Sequence, residues 1–229
     1  MLPINNMKII LSGGGNEEET KELDELFANI IDKNKPLLYI PVAINKIKHP
    51  YSECLNWLKG TFDKLGVNLY EMWTESELEN IKNWPEKFGG VYIGGGNTFY
   101  LLKVLKETNF WIFLKRCIDR NIPIYGSSAG AIIFGYSILS SNDINNSNLK
   151  DFDGMNILRG ISIFCHYKPE KDEIVRQKIF VNNLKKIIAL PEKSGIYLDG
   201  NKKPKIIGKD PAWLFSKDRK VRIEIGEVF

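Results

Sequence analysis

Short apolar runs alternate with amphipathic stretches almost from the start of the chain, and this alternation restricts the fold more than any other feature. Lys8-Ile9-Ile10-Leu11-Ser12 reads as a buried strand ended by Gly13-Gly14-Gly15-Asn16. Residues Glu17 to Asp32 then place Leu23, Leu26, Phe27, Ile30 and Ile31 on one helical face. Leu37 to Pro41 is the next strand, and Tyr51 to Leu65 the next helix. Val67 to Glu71 and Gly90 to Ile93 read as strands, Thr98 to Lys106 and Trp111 to Arg120 as helices. Ile122 to Tyr125 is a strand leading into a helix from Ala129 to about Tyr136. The pattern predicts an α/β fold, a mostly parallel sheet with helices on both faces. Sites in such sheets gather at the carboxyl ends of the strands.

Beyond Ile161 the pattern changes. A strand over Ile161 to Phe164 and a helix from about Glu170 to Lys185 precede several short runs between Ile187 and Ile225. The turns Asp199-Gly200-Asn201 and Lys217-Asp218-Arg219 predict antiparallel hairpins at one sheet edge. The 229 residues contain no internal repeat or linker and suit one domain spanning 1–229.

Composition narrows the function classes. Hydrophobic residues make up 43% and charged residues 26%, ordinary values for a globular chain that builds a substantial core. The net charge of +4 is small and scattered, and Lys202-Lys203-Pro204-Lys205 reads as a polar turn, so no nucleic-acid partner is expected. No apolar run approaches the ~18 residues that span a bilayer, and no basic-then-apolar leader opens the chain; the expected location is cytoplasmic, without a membrane partner. Cys54, Cys117 and Cys165 are too few and too irregular for a disulfide framework or a zinc site. Trp73, Trp84 and Trp111 are open to a homodimer contact or to the core, the core being the commoner use.

Gly126-Ser127-Ser128-Ala129-Gly130 fits the Gly-x-Ser-x-Gly pattern of a nucleophile on a sharp strand-to-helix turn. Small neighbours on both sides are what such a strained corner needs. The competing reading is a plain βα turn with Ser127 or Ser128 as helix cap. Gly94-Gly95-Gly96-Asn97-Thr98 is a second strand–glycine–helix junction, whose N–H groups can face a developing negative charge, with Ala129 N–H as a further donor. Phosphate binding ranks lower, because neither Gly-x-Gly-x-x-Gly nor a Gly-Lys-Ser/Thr ending is present. Gly13-Gly14-Gly15-Asn16 is a similar junction that simple turn chemistry would explain. His49 and His166 are the only two histidines. His49 precedes Pro50 at a helix start and reads as surface or capping, so His166, just past a strand end, is the candidate base. An acid should fix its tautomer. Asp143, Asp151, Asp153, Glu192 and Asp199 compete for that place, and spacing does not choose among them.

The order Ser128, Asp143, His166, with Gly-Gly-Gly-Asn-Thr upstream and Gly-x-Ser-Ala-Gly-Ala at the turn, resembles the S51 serine peptidases, a family that includes aspartyl dipeptidases. The resemblance runs from Lys8 to about Leu190. It implies a fold like that of class I glutamine amidotransferases, with serine at the usual elbow cysteine. It also implies Ser128 as nucleophile, His166 as base, Asp143 as the orienting acid, and Gly95 or Gly96 with Ala129 as oxyanion donors. A small peptide would be the substrate, approached by Gly94, Asn97 and Arg176, with no metal or organic cofactor. Aspartyl dipeptidases place a cation in the segment after the histidine. Val175 stands where that arginine is expected, and Arg176 beside it is turned by about 100° on a helix.

Overall fold

Every predicted βα step up to Ile132 is present in the computed structural model, which describes residues 7–82, 84–200 and 202–229. In chain order the elements begin β1 (Lys8–Ser12), α1 (Glu17–Ile30), β2 (Leu37–Ile40), α2 (Tyr51–Phe62), β3 (Tyr70–Met72), α3 (Glu75–Glu79) and β4 (Gly90–Ile93). They continue with α4 (Thr98–Glu107), α5 (Phe110–Asp119), β5 (Ile124–Ser127), α6 (Ala129–Ile132), β6 (Ile161–Phe164) and α7 (Asp172–Val181). The chain closes with β7 (Lys186–Ala189), β8 (Ser194–Asp199), β9 (Lys205–Gly208), β10 (Ala212–Ser216) and β11 (Lys220–Ile223).

The main sheet has the order β3-β2-β4-β5-β1-β8-β9. Strands β3 through β1 in that order are parallel, while β8 and β9 run antiparallel at the β1 side. A second sheet, β11-β10-β7-β6, joins the parallel pair β6 and β7 to an antiparallel hairpin. The expectation of one sheet with hairpins at its edge therefore needs correction. Only β8 and β9 extend the main sheet, and β10–β11 extends another. Alternation in a short run states that a strand has two different faces, not which sheet it joins.

Three apolar layers follow from this arrangement. Leu23, Phe27, Leu58 and Phe62 of α1 and α2 cover one face of the main sheet, against Ile10, Tyr39, Tyr92 and Tyr125. On the other face Leu101, Phe113 and Ala131 meet Ile40, Ile93 and Ile124, and this core continues into Ile163 and Ile188 of the second sheet. The far side of the second sheet is closed by Val175 and Ile179 of α7 on Phe164, Ile187 and Phe215. Each fully buried side chain of this kind contributes about 1.5–3 kcal/mol relative to exposure.

Helix α6 ends at Ile132, short of the predicted Tyr136, and α7 spans Asp172–Val181 inside the predicted Glu170–Lys185. The apolar run Ile133-Phe134 is buried all the same, because Tyr136 N–H is taken by Ile161 O and the chain turns against β6. Trp73 is buried, Trp111 packs partly on the core, and Trp84 is 60% exposed with the Arg116 guanidinium over its ring. Asn201 of the predicted Asp199-Gly200-Asn201 turn, and residues 1–6, lie outside the described residues. Among the described residues no helix is long and apolar enough to cross a membrane.

Candidate active site

Strand β5 runs through the middle of the main sheet, with Gly126 opposite Ile93 on β4 and Leu11 on β1. At its carboxyl end Ser128 takes φ 50° and ψ −109°, a conformation that few non-glycine residues adopt. The serine N–H donates to Ser12 O at 3.1 Å, and its carbonyl accepts from Ala131 and Ile132 N–H at 2.8 and 3.0 Å. These bonds hold the turn rigid at both ends. The flanking glycines are sterically required: a Cβ on Gly126 would stand 2.3 Å from Gly130 O, and one on Gly130 2.3 Å from Ile93 O. Ser128 makes no capping bond with its side chain, so the plain helix-cap reading does not hold for it.

The Ser128 hydroxyl instead faces His166, with Oγ 2.8 Å from Nε2. His166 sits two residues beyond β6 at φ 53°, its N–H donating to Gly13 O and its carbonyl accepting from Lys171 Nζ at 2.6 Å. Gly14, at φ 104°, lies flat against the imidazole; a Cβ there would be 2.2 Å from Cε1. The first glycine junction is therefore a cradle for the histidine, more than the turn chemistry its sequence suggests. Cys165 beneath is buried, and burial pushes its thiol well above the usual range.

The other ring nitrogen, Nδ1, is 2.9 Å from Glu192 Oε1. An ionised carboxylate only accepts, so Nδ1 donates and Nε2 is left to accept from Ser128. Glu192 follows β7 in the loop that leads to β8, and β7 is the parallel neighbour of β6. Strands ending side by side thus bring His166 and Glu192 together. Asp143 is not the acid at this histidine. Its Oδ2 accepts from Thr98 N–H at 2.8 Å, Thr98 Oγ1 at 2.6 Å and Ser141 Oγ at 2.8 Å, which fastens the start of α4. Asp151, Asp153 and Asp199 do not contact His166 either: Asp151 pairs with Lys106 and Asp199 with Lys202, and Asp153 bridges to Ser137.

The Gly94–Asn97 junction closes the site on the β4 side. Gly94 N–H donates to Ile40 O and Asn97 N–H to Ala43 O. The N–H groups of Gly95, Gly96 and Ala129 meet no acceptor among the described residues. Gly95 is the one beside the serine: a Cβ on it would be 3.2 Å from Ser128 Cβ. Gly96 is held at φ 138° against Ala43 O. Two expected substrate contacts are engaged elsewhere. Asn97 caps α4 through Oδ1 to Tyr100 N–H and donates Nδ2 to Ile144 O. Arg176 stacks over Phe215 of the second sheet, 5.6 Å from its centroid, and Val175 is fully buried beside it.

Serine, histidine and glutamate at the ends of β5, β6 and β7, with N–H groups across the turn, make an arrangement chemically capable of acyl transfer. The chain belongs to peptidase family S51, whose family model matches residues 9–206. It is 29% identical over 207 residues to Peptidase E of Pasteurella multocida, covering 86% of each chain. To Peptidase E of Haemophilus influenzae strain PittGG it is 25% identical over 194 residues, 81% of this chain and 80% of the other. A solved peptidase from an acI-B1 Actinobacterium superposes with TM-score 0.73 at 16% identity, covering 99% of this chain and 98% of that one, and so shares the fold.

Proposed function

We propose that the chain is a serine peptidase of short peptides, working through Ser128, His166 and Glu192. The observation that carries this reading is the continuous pair of contacts, 2.8 Å from Ser128 Oγ to His166 Nε2 and 2.9 Å from His166 Nδ1 to Glu192 Oε1. Ser128 Oγ attacks the scissile carbonyl carbon while its proton passes to His166 Nε2. Gly95 and Ala129 N–H groups receive the oxyanion. The C–N bond then breaks as Nε2 protonates the leaving amine. Water next attacks the acyl-enzyme, giving a proton to His166, and the acid leaves as Ser128 regains its hydrogen. Glu192 holds the imidazole in the tautomer that both transfers need.

The parallel order β2-β4-β5-β1, with the serine at the carboxyl end of β5, supports reading the fold as class I glutamine amidotransferase-like, with serine in the elbow. A preference for N-terminal aspartate finds no such support, since Arg176 is turned onto Phe215. A fluorophosphonate probe tests the chemistry: wild-type protein should label at Ser128 and hydrolyse dipeptides. Ser128→Ala should not label, and its kcat should fall by about 10⁴-fold or more. Labelling that persists in Ser128→Ala would remove the proposal.

A further inference from the structure

Sheet order gives the site a direction. Ser128 stands at the end of β5, between β4 on one side and β1 on the other. His166 lies on the β1 side, bonded to Gly13 O and packed on Gly14. A leaving amine takes its proton from His166, so it departs over β1. The acyl half of the substrate must then extend the other way, across Gly95 and over β4. A cavity of about 330 Å³ opens there, sharing Gly94, Gly95 and Ser127 with the turn itself. Its inner walls are aromatic, made by Tyr39 from β2, Tyr92 from β4 and Trp57 from α2, the first two buried. Glu53 and His49 stand at its exposed rim. Among the described residues lining it there is no lysine or arginine, and Glu53 is the one carboxylate.

We propose that this cavity holds the acyl-side residue of the substrate and selects lysine or arginine, the aromatic walls covering the alkyl stem and Glu53 meeting the cationic head. The inference rests on the peptidase reading above and deepens it by naming a substrate class. An apolar stem with a charged tip matches a pocket with apolar walls and a polar mouth. The rings add attraction for a cation passing them, whereas an acidic side chain would enter beside the like charge of Glu53, with no lysine or arginine among the described lining residues to offset it.

The experiment compares hydrolysis of Lys-Leu, Met-Leu and Asp-Leu by wild type, Glu53→Gln and Glu53→Lys, at about pH 6 and about pH 8.5. Methionine matches the lysine stem without its charge. Wild type should favour Lys-Leu over Met-Leu by about tenfold in kcat/KM and over Asp-Leu by about a hundredfold. Glu53→Gln should bring the Lys/Met ratio close to one, and Glu53→Lys should invert it. A preference for Asp-Leu at either pH overturns the proposal. So does a Lys/Met ratio that Glu53→Gln leaves unchanged. In both cases Ser128 still labels with the fluorophosphonate and the peptidase reading stands. Protein that neither labels nor cleaves any of the three substrates sinks that reading and this one with it.

Discussion

Ser128 at φ 50° and ψ −109° stores strain of about 1–3 kcal/mol, held by the Ser12 carbonyl behind it and by the α6 amides in front. Such strain persists because those bonds over-determine the turn, and its result is one hydroxyl aimed at one imidazole. The residue that completes the arrangement is Glu192, and exchanging the two acids separates its role from that of Asp143. Glu192→Gln replaces the anionic acceptor by an amide whose NH2 can donate to Nδ1 and favour the wrong tautomer, and should lower kcat on the order of 10³-fold with KM little changed. Asp143→Asn weakens charge-assisted bonds at the α4 start, and should reduce stability by about 1–2 kcal/mol while kcat stays within a few-fold. Steady-state kinetics beside urea unfolding reads both; a larger kcat loss in Asp143→Asn would restore Asp143 as the orienting acid. Ser128 and His166 were legible in the sequence because one sits in a short motif and the other has a single rival. Glu192 was not, because five carboxylates occupy similar loops. Choosing among them requires knowing that β7 lies beside β6.

At the scale of elements, the glycine junctions divide into those that shape the site and those that merely allow a turn. Gly14 belongs to the first kind. Its φ of 104° and its contact with the imidazole mean that Gly14→Ala must move either β1 or His166. Gly60, inside α2, has open space where a Cβ would go. Gly14→Ala should therefore destabilise by about 1–3 kcal/mol and cut kcat by tenfold or more. Gly60→Ala should stabilise by about 0.5–1 kcal/mol with kcat intact. Thermal melts with kinetics on both variants check this, and a Gly14→Ala enzyme of full activity would deny the cradle role. The βα units were readable because each helix carries its own apolar stripe. The role of Gly13-Gly14 depends on a long-range contact with His166, which local pattern does not encode. The membership of β10 and β11 in a second sheet is hidden for the same reason.

Over the whole molecule, the core beneath the α1–α2 face contains a carboxyl group whose titration the entire fold must answer. Asp24 on α1 is 4% exposed, accepts from Thr20 Oγ1 at 2.8 Å, and lies near the buried Tyr125 hydroxyl, which has no hydrogen-bond partner among the described residues. Burial pushes its carboxyl from the ordinary 3.8 up to about 7. The sign follows directly. Below about pH 4 the carboxyl is protonated folded and unfolded, and its contribution to stability is fully present. Between about pH 4 and 7 only the unfolded chain releases the proton, so stability falls as pH rises. Above about pH 7 both states are ionised, and a loss on the order of 4 kcal/mol is complete. Asp24→Asn keeps an acceptor for Thr20 but cannot ionise. It should match the wild type within about 1 kcal/mol near pH 4 and exceed it in stability near pH 8, with the gap opening across that interval. Urea midpoints at a series of pH values measure the difference directly, because every other titrating group is common to both proteins. Parallel stability–pH curves for the two proteins would show that the α1 core accommodates the charged carboxylate without cost.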